Sequence, residues 1–145
     1  MKKSGQIYVI GSLRNRKKVM KFSNGLRRMG YQVFDDWASA YEEADQILYA
    51  YYKQRGFTYA QMIDSPAARN IFDFDFRNLN ASDVVILLAP FGKAACLEAG
   101  YSIGQGKKVF MLADKSTKKR ADIMFGFLSG IFMNEKELLE ALKKI

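Results

Sequence analysis

Five short apolar runs punctuate the chain, each bounded by turn-forming residues. They are Gln6 to Ile10 before Gly11-Ser12, Tyr31 to Phe34 after Gly30, Val84 to Leu88 before Pro90 and Gly92, Lys108 to Leu112 after Gly104-Gln105-Gly106, and Gly130 to Phe132. Their length and β-branched content suit strands, and Val84 to Leu88 lacks polar alternation, which suits a strand buried on both faces. Between them the apolar positions recur at helical spacing. Helices are predicted over Arg16 to Met29, Tyr41 to Gln54, Tyr59 to Asp64, Ala67 to Asn80, Ala94 to Gly104, Ala121 to Phe127 and Glu135 to Lys144. In the fourth of these, Phe72, Phe76 and Leu79 are expected on one side; in the last, Leu138, Leu139 and Leu142 form the stripe. Asn80 to Asp83 is expected as a turn and Asp114 to Arg120 as a polar, basic loop. Strands alternating with helices predict an α/β fold, a five-stranded parallel sheet with helices on both faces and right-handed crossovers.

With 145 residues the chain fits a single domain, residues 1–145, large enough to bury a core without disulfides or metals. Its apolar runs are far shorter than a membrane span, and Met1-Lys2-Lys3 leads into the first strand without a signal-peptide core. The one cysteine, Cys96, cannot pair internally, so a reducing, cytoplasmic setting is expected, with the thiol a buried small hydrophobe. Histidine is absent, which excludes Ser-His-Asp and Cys-His arrangements and any His-ligated metal site. Carboxylates, Lys and Tyr remain for acid, base or nucleophile duties. A formal charge of +8 favours anionic partners, phosphorylated small molecules or nucleic acid.

Candidate chemistry gathers where strands end, since ligands of open α/β sheets bind at the carboxyl ends of the strands. Beyond Val84 to Leu88, the helix from Ala94 carries a lone carboxylate, Glu98, among uncharged neighbours. A helix N-terminus favours an ionised carboxylate, which would ready Glu98 as a nucleophile; the alternative is a residue that caps its helix or sits in solvent. Gly11 and Ser12 offer backbone N–H groups and a hydroxyl to a phosphate or sugar, with Arg14 in reach of the same anion. By default, however, Arg14, Arg16, Lys17 and Lys18 form a solvated helix start. Asp36 and Trp37 follow the second strand and suit sugar hydroxyls and a base face; the alternative is a helix cap and a packed ring.

In their order and spacing these blocks resemble the nucleoside 2-deoxyribosyltransferase superfamily, which includes the nucleoside monophosphate N-glycosidases. The likeness covers nearly the whole chain. It rests on Ile7 to Ser12 with Arg14, Val33 to Trp37, Asp75 to Asp83, and Leu97-Glu98-Ala99-Gly100-Tyr101 with Gly106-Lys107. The resemblance implies a flavodoxin/Rossmann-like fold and no metal or organic cofactor. It implies Glu98 as the nucleophile on the anomeric carbon, Asp75 as the acid/base for the departing base, and Tyr8 as the hydroxyl that orients the nucleophile. Gly11, Ser12 and Arg14 match its sugar or 5′-substituent loop. A retaining reaction through a covalent glycosyl-enzyme follows, with transfer to water or to another base.

One position departs from the pattern. The free-nucleoside transferases carry an aspartate six residues before the nucleophile, and here that position is Gly92, followed by Lys93. A glycine N–H and a lysine welcome a phosphate that an aspartate would repel, so a nucleoside 5′-monophosphate is the favoured substrate. The family also completes its sites across subunits, which makes Ser129 a candidate cross-subunit contact and implies a homodimer or higher homo-oligomer. Two other classes compete: a non-catalytic nucleotide-binding sensor, which would not need both Glu98 and Asp75, and a basic nucleic-acid-binding module. Against the second, the basic residues are dispersed and no recognised binding motif accompanies them.

Overall fold

The computed structural model describes residues 5–40, 44–120 and 122–145. Met1-Lys2-Lys3, the first three positions of the helix expected from Tyr41, and Ala121 lie outside the described residues. Five parallel strands, β1 (Gln6–Ile10), β2 (Gln32–Phe34), β3 (Ser82–Leu88), β4 (Lys108–Leu112) and β5 (Gly130–Phe132), form one sheet in the order β2-β1-β3-β4-β5. Around it run α1 (Arg16–Arg28), α2 (Trp37–Ala40), α3 (Ala44–Gln54), α4 (Tyr59–Ile63), α5 (Pro66–Ala81), α6 (Lys93–Gly104) and α7 (Glu135–Lys143). This is the flavodoxin-like strand order, whose direction of winding switches between β1 and β3 and opens a crevice there.

Period-two alternation divides the apolar residues between two layers. Ile7, Val9, Val84, Ile86, Leu88, Phe110 and Leu112 face α1 and α7, where Val19, Phe22, Leu26, Leu138 and Leu142 meet them. Tyr8, Ile10, Val85, Leu87, Val109 and Met111 face α5 and α6, against Leu79, Ala95 and Ala99. Tyr8 is therefore the polar member of an otherwise apolar layer. The register sets it beside Phe34 on β2 and Val85 on β3.

Three expected features differ. The turn over Asn80 to Asp83 is absent: α5 runs directly into β3, and side chains satisfy the carbonyls left at the helix end. Lys107 Nζ donates to Leu79 O (2.5 Å) and Asn80 O (2.8 Å), and Ser82 Oγ to Asn78 O (2.7 Å). α3 carries the described part of the helix expected from Tyr41 and ends at Gln54 as expected, with the short α2 before it. Residues Ile123–Phe127 form a 3-10 turn that presents Ile123, Met124 and Phe127 to solvent rather than an amphipathic helix. On α5 the inward stripe is Ile71, Phe74, Asp75, Asn78 and Leu79, at i, i+3, i+4, i+7 and i+8, so Phe72 is 53% exposed. Phe72 stacks on Phe76 (5.4 Å), which tilts against Tyr101 of α6 (5.2 Å). Among the described residues no helix is long and apolar enough to cross a membrane.

Candidate active site

At the switch point, Tyr8, Gly11, Trp37, Asp75, Lys93 and Glu98 line part of a cavity of ≈ 320 Å³. Each side chain arrives for a local reason. Tyr8 projects from the face of β1 that α5 and α6 cover. Its ring stacks on Phe34 at 4.9 Å, and Phe34 tilts against Phe74 at 5.7 Å, which fixes the direction of the hydroxyl. Asp75 lies on the inward stripe of α5. Glu98 lies in the second turn of α6, near Ala95 and Ala99, whose small side chains let the helix approach the sheet.

Glu98 neither caps α6, whose N-cap is Gly92, nor stands in open solvent. Its Oε2 is buried without a protein partner, and so is Asp75 Oδ1. Burial pushes Glu98 up to about 7; the hydrogen bond from Tyr8 works against the rise and the charge of Asp75 adds to it. This corrects the expectation that the helix dipole holds Glu98 ionised. Its effect fades beyond the first turn, and desolvation outweighs it. Asp75 is pushed up to about 6 by burial and then by the charges of Asp45 and Asp36. Tyr8 is raised far above its ordinary value, first by burial and then by Glu98 and Asp75. It therefore stays a phenol and donates to Glu98.

Gly11 is required sterically: a Cβ there would lie 2.6 Å from Val19 Cγ2 and 3.6 Å from the Trp37 ring. Trp37 is the packed ring of its alternative reading, its Nε1 donating to Val9 O (2.7 Å), and it also lines the cavity. Gly92 faces open space, where a side chain would meet nothing. Its α6 has no acidic residue in the first turn.

Several expected residues stand apart from the cavity lining. Asp36 is exposed and reaches the site through its charge on Asp75. Ser12 Oγ accepts from Arg14 N–H (3.3 Å) and caps the 3-10 turn Leu13–Asn15. Arg14 borders a separate hollow with Lys17 and Lys18. Ser129 Oγ accepts from Val109 N–H (3.0 Å) and its own N–H donates to Val109 O (2.8 Å), so it lies two strands beyond β3. Cys96, expected to be buried, is exposed, because two residues along α6 from Glu98 is roughly 200° around the helix.

Other residues of the site escape sequence reasoning. Asp45 and Ile71 line the cavity; only Ile71, four residues before Asp75, carries a local signal. Lys18 Nζ and Asn15 Nδ2 both donate to Ala89 O, at 2.9 and 3.2 Å. They hold the backbone where β3 leaves for α6, a role the solvated-helix reading of Lys18 does not contain. Among the described residues no group of three or more His, Cys, Asp or Glu side chains is arranged to hold a metal ion. The fold and site define an α/β protein with a paired-carboxylate crevice at its topological switch point. No protein-family model and no curated protein matches the sequence.

Proposed function

We propose that the protein is an N-glycosidase or 2-deoxyribosyltransferase that cleaves the bond between base and sugar of a nucleoside 5′-monophosphate or nucleoside. One observation carries this reading. Glu98 and Asp75, from different helices, line one cavity, each with a buried oxygen that no protein group satisfies, and a phenol is directed at Glu98. Two carboxylates that each bury an oxygen without a protein partner cost folding stability, and a binding module for an anion gains nothing from them.

In the proposed reaction an ionised Glu98 oxygen attacks the anomeric carbon as the bond to the base breaks. The bonding electrons leave with the base nitrogen, which takes the Asp75 proton. Tyr8 orients Glu98 through its hydrogen bond. Water or a second base, deprotonated by Asp75, then displaces Glu98 from the sugar. A sugar hydroxyl donating to Glu98 Oε2 lowers its pKa, and a base nitrogen accepting from Asp75 raises the other, so substrate itself favours the productive protonation state. Open Gly92, Lys93 and the charge of +8 support a phosphorylated substrate. The proposal includes a cytoplasmic homodimer or larger assembly in which the segment around Ser129 meets a neighbouring site.

The test is chromatographic. The protein is incubated with nucleosides and 5′-monophosphates, with and without a second free base. Release from monophosphates, lost in Glu98→Ala, is the expected result; no release from any substrate, or full activity in Glu98→Ala, overturns the reading.

A further inference from the structure

Beside the reaction cavity lies a larger, half-open one, of ≈ 410 Å³ against ≈ 320 Å³, bounded by α3, α4 and α5. Asp45 and Ile71 belong to both walls, so the two spaces adjoin at a shared boundary. The second cavity is walled by Tyr49, Tyr59, Met62, Ile63 and Phe72. The rings of Tyr49 and Tyr59 lie 6.3 Å apart, and Tyr59, Ile63 and Phe72 are exposed large apolar side chains concentrated in one place. The wall is built: α4 begins with a reciprocal capping box between Thr58 and Gln61, and Met62 anchors it in the interior.

Position decides what the space can take. Ile71 precedes Asp75 by four residues on the same stripe of α5, so the shared boundary lies beside the acid/base. In the proposed reaction Asp75 meets the departing base, so a ligand reaches the second cavity from its base and not from its sugar. Among the described residues no Lys or Arg lines the second cavity, and a carboxylate, Asp45, stands on the shared boundary, which disfavours a phosphate.

We infer that the second cavity binds an aromatic or branched apolar substituent on the leaving base, so that the substrate carries a modified base. The inference rests on the N-glycosidic reading, and binding separates the two. Affinities are measured by titration calorimetry for two matched pairs, adenine with 6-benzylaminopurine and cytosine with N4-benzylcytosine. In at least one pair the benzylated base binds about tenfold more tightly, because its ring leaves water for an apolar wall. Ala68→Trp, which fills the cavity from α5, removes that preference and leaves the unsubstituted base within about twofold. Tyr59→Ala, a change at an exposed side chain, reduces it and guards against a folding defect in the first variant. Equal affinity within both pairs, or a preference unchanged by Ala68→Trp, overturns the inference, as it would if a second copy of the chain filled the space. Release of unmodified bases without any benzyl preference leaves the N-glycosidic reading standing alone. A benzyl preference without release from any substrate overturns that reading and keeps the cavity's ligand class.

Discussion

Two carboxylates and a phenol set the electrostatics of the crevice. Glu98 is raised from 4.5 to about 7 and Asp75 from 3.8 to about 6, chiefly because both are withdrawn from water. Between about pH 4 and 7 the folded chain thus holds more protons than the unfolded one, and its stability falls as pH rises through that window. Glu98→Gln removes the buried charge and keeps the shape. It is expected to raise stability by about 1–3 kcal/mol at pH 8 and by almost nothing at pH 4; thermal melts at the two pH values read the difference, and an equal effect at both would mean Glu98 is not desolvated. The same two values govern catalysis. The productive form needs Glu98 ionised and Asp75 protonated, yet in the free protein Asp75 is the more acidic, so that form is the minor share of the singly protonated pair. Asp45→Asn takes away a negative neighbour and lowers Asp75 further. The acid limb of kcat/KM against pH should move to lower pH and the peak should fall severalfold, with the alkaline limb in place; an unmoved acid limb would separate Asp45 from the acid/base.

Glycines at two element boundaries have opposite reasons for being glycine. At the end of β1, Gly11→Ala would set a methyl 2.6 Å from Val19 of α1. Overpacking there should cost about 1–3 kcal/mol, visible as a lower urea midpoint. At the start of α6, Gly92 is extended (φ −108°, ψ −162°) with open space ahead of it. Gly92→Asp supplies the side-chain acceptor that a glycine N-cap lacks and should add roughly a few tenths of a kcal/mol of stability, while its charge raises KM for monophosphates and spares free nucleosides. A gain in both stability and monophosphate affinity would refute the phosphate argument. Much of this scale was legible in the sequence. Unbroken apolar runs mark β1 and β3 because both faces of each are covered, and period two places Tyr8 on the face of α5 and α6. Less legible was anything decided by a distant partner. Asn80, Ser82 and Asp83 are turn formers, but Lys107, remote in sequence, caps the carbonyls that let α5 run straight into β3. Phe72 and Phe76 look like a core stripe because aromatic rings dominate hydropathy, whereas Ile71 and Phe74 point inward. Asp45 has no local signature, since its meaning comes from facing Asp75 across a cavity.

For the molecule as a whole, charge and exposed apolar surface pull association in opposite directions. Beside Ser129, Ile123 is 88% exposed, with Met124 and Phe127 also in solvent and Ile131 exposed on the edge strand β5. A second copy covering these side chains gains from their removal from water. Each copy, however, carries +8, so two copies repel until salt screens them. The proposed homo-oligomer should therefore tighten as ionic strength rises, and Phe127→Asp should dissociate it and lower turnover with it; sedimentation equilibrium across a salt series reads both. Nucleic-acid binding has the contrary signature, because neutralised phosphates release counterions and affinity drops steeply with added salt. Self-association that salt strengthens supports a shared site near Ser129, while a monomer at every ionic strength confines the reaction to Glu98, Asp75 and Tyr8 of a single chain.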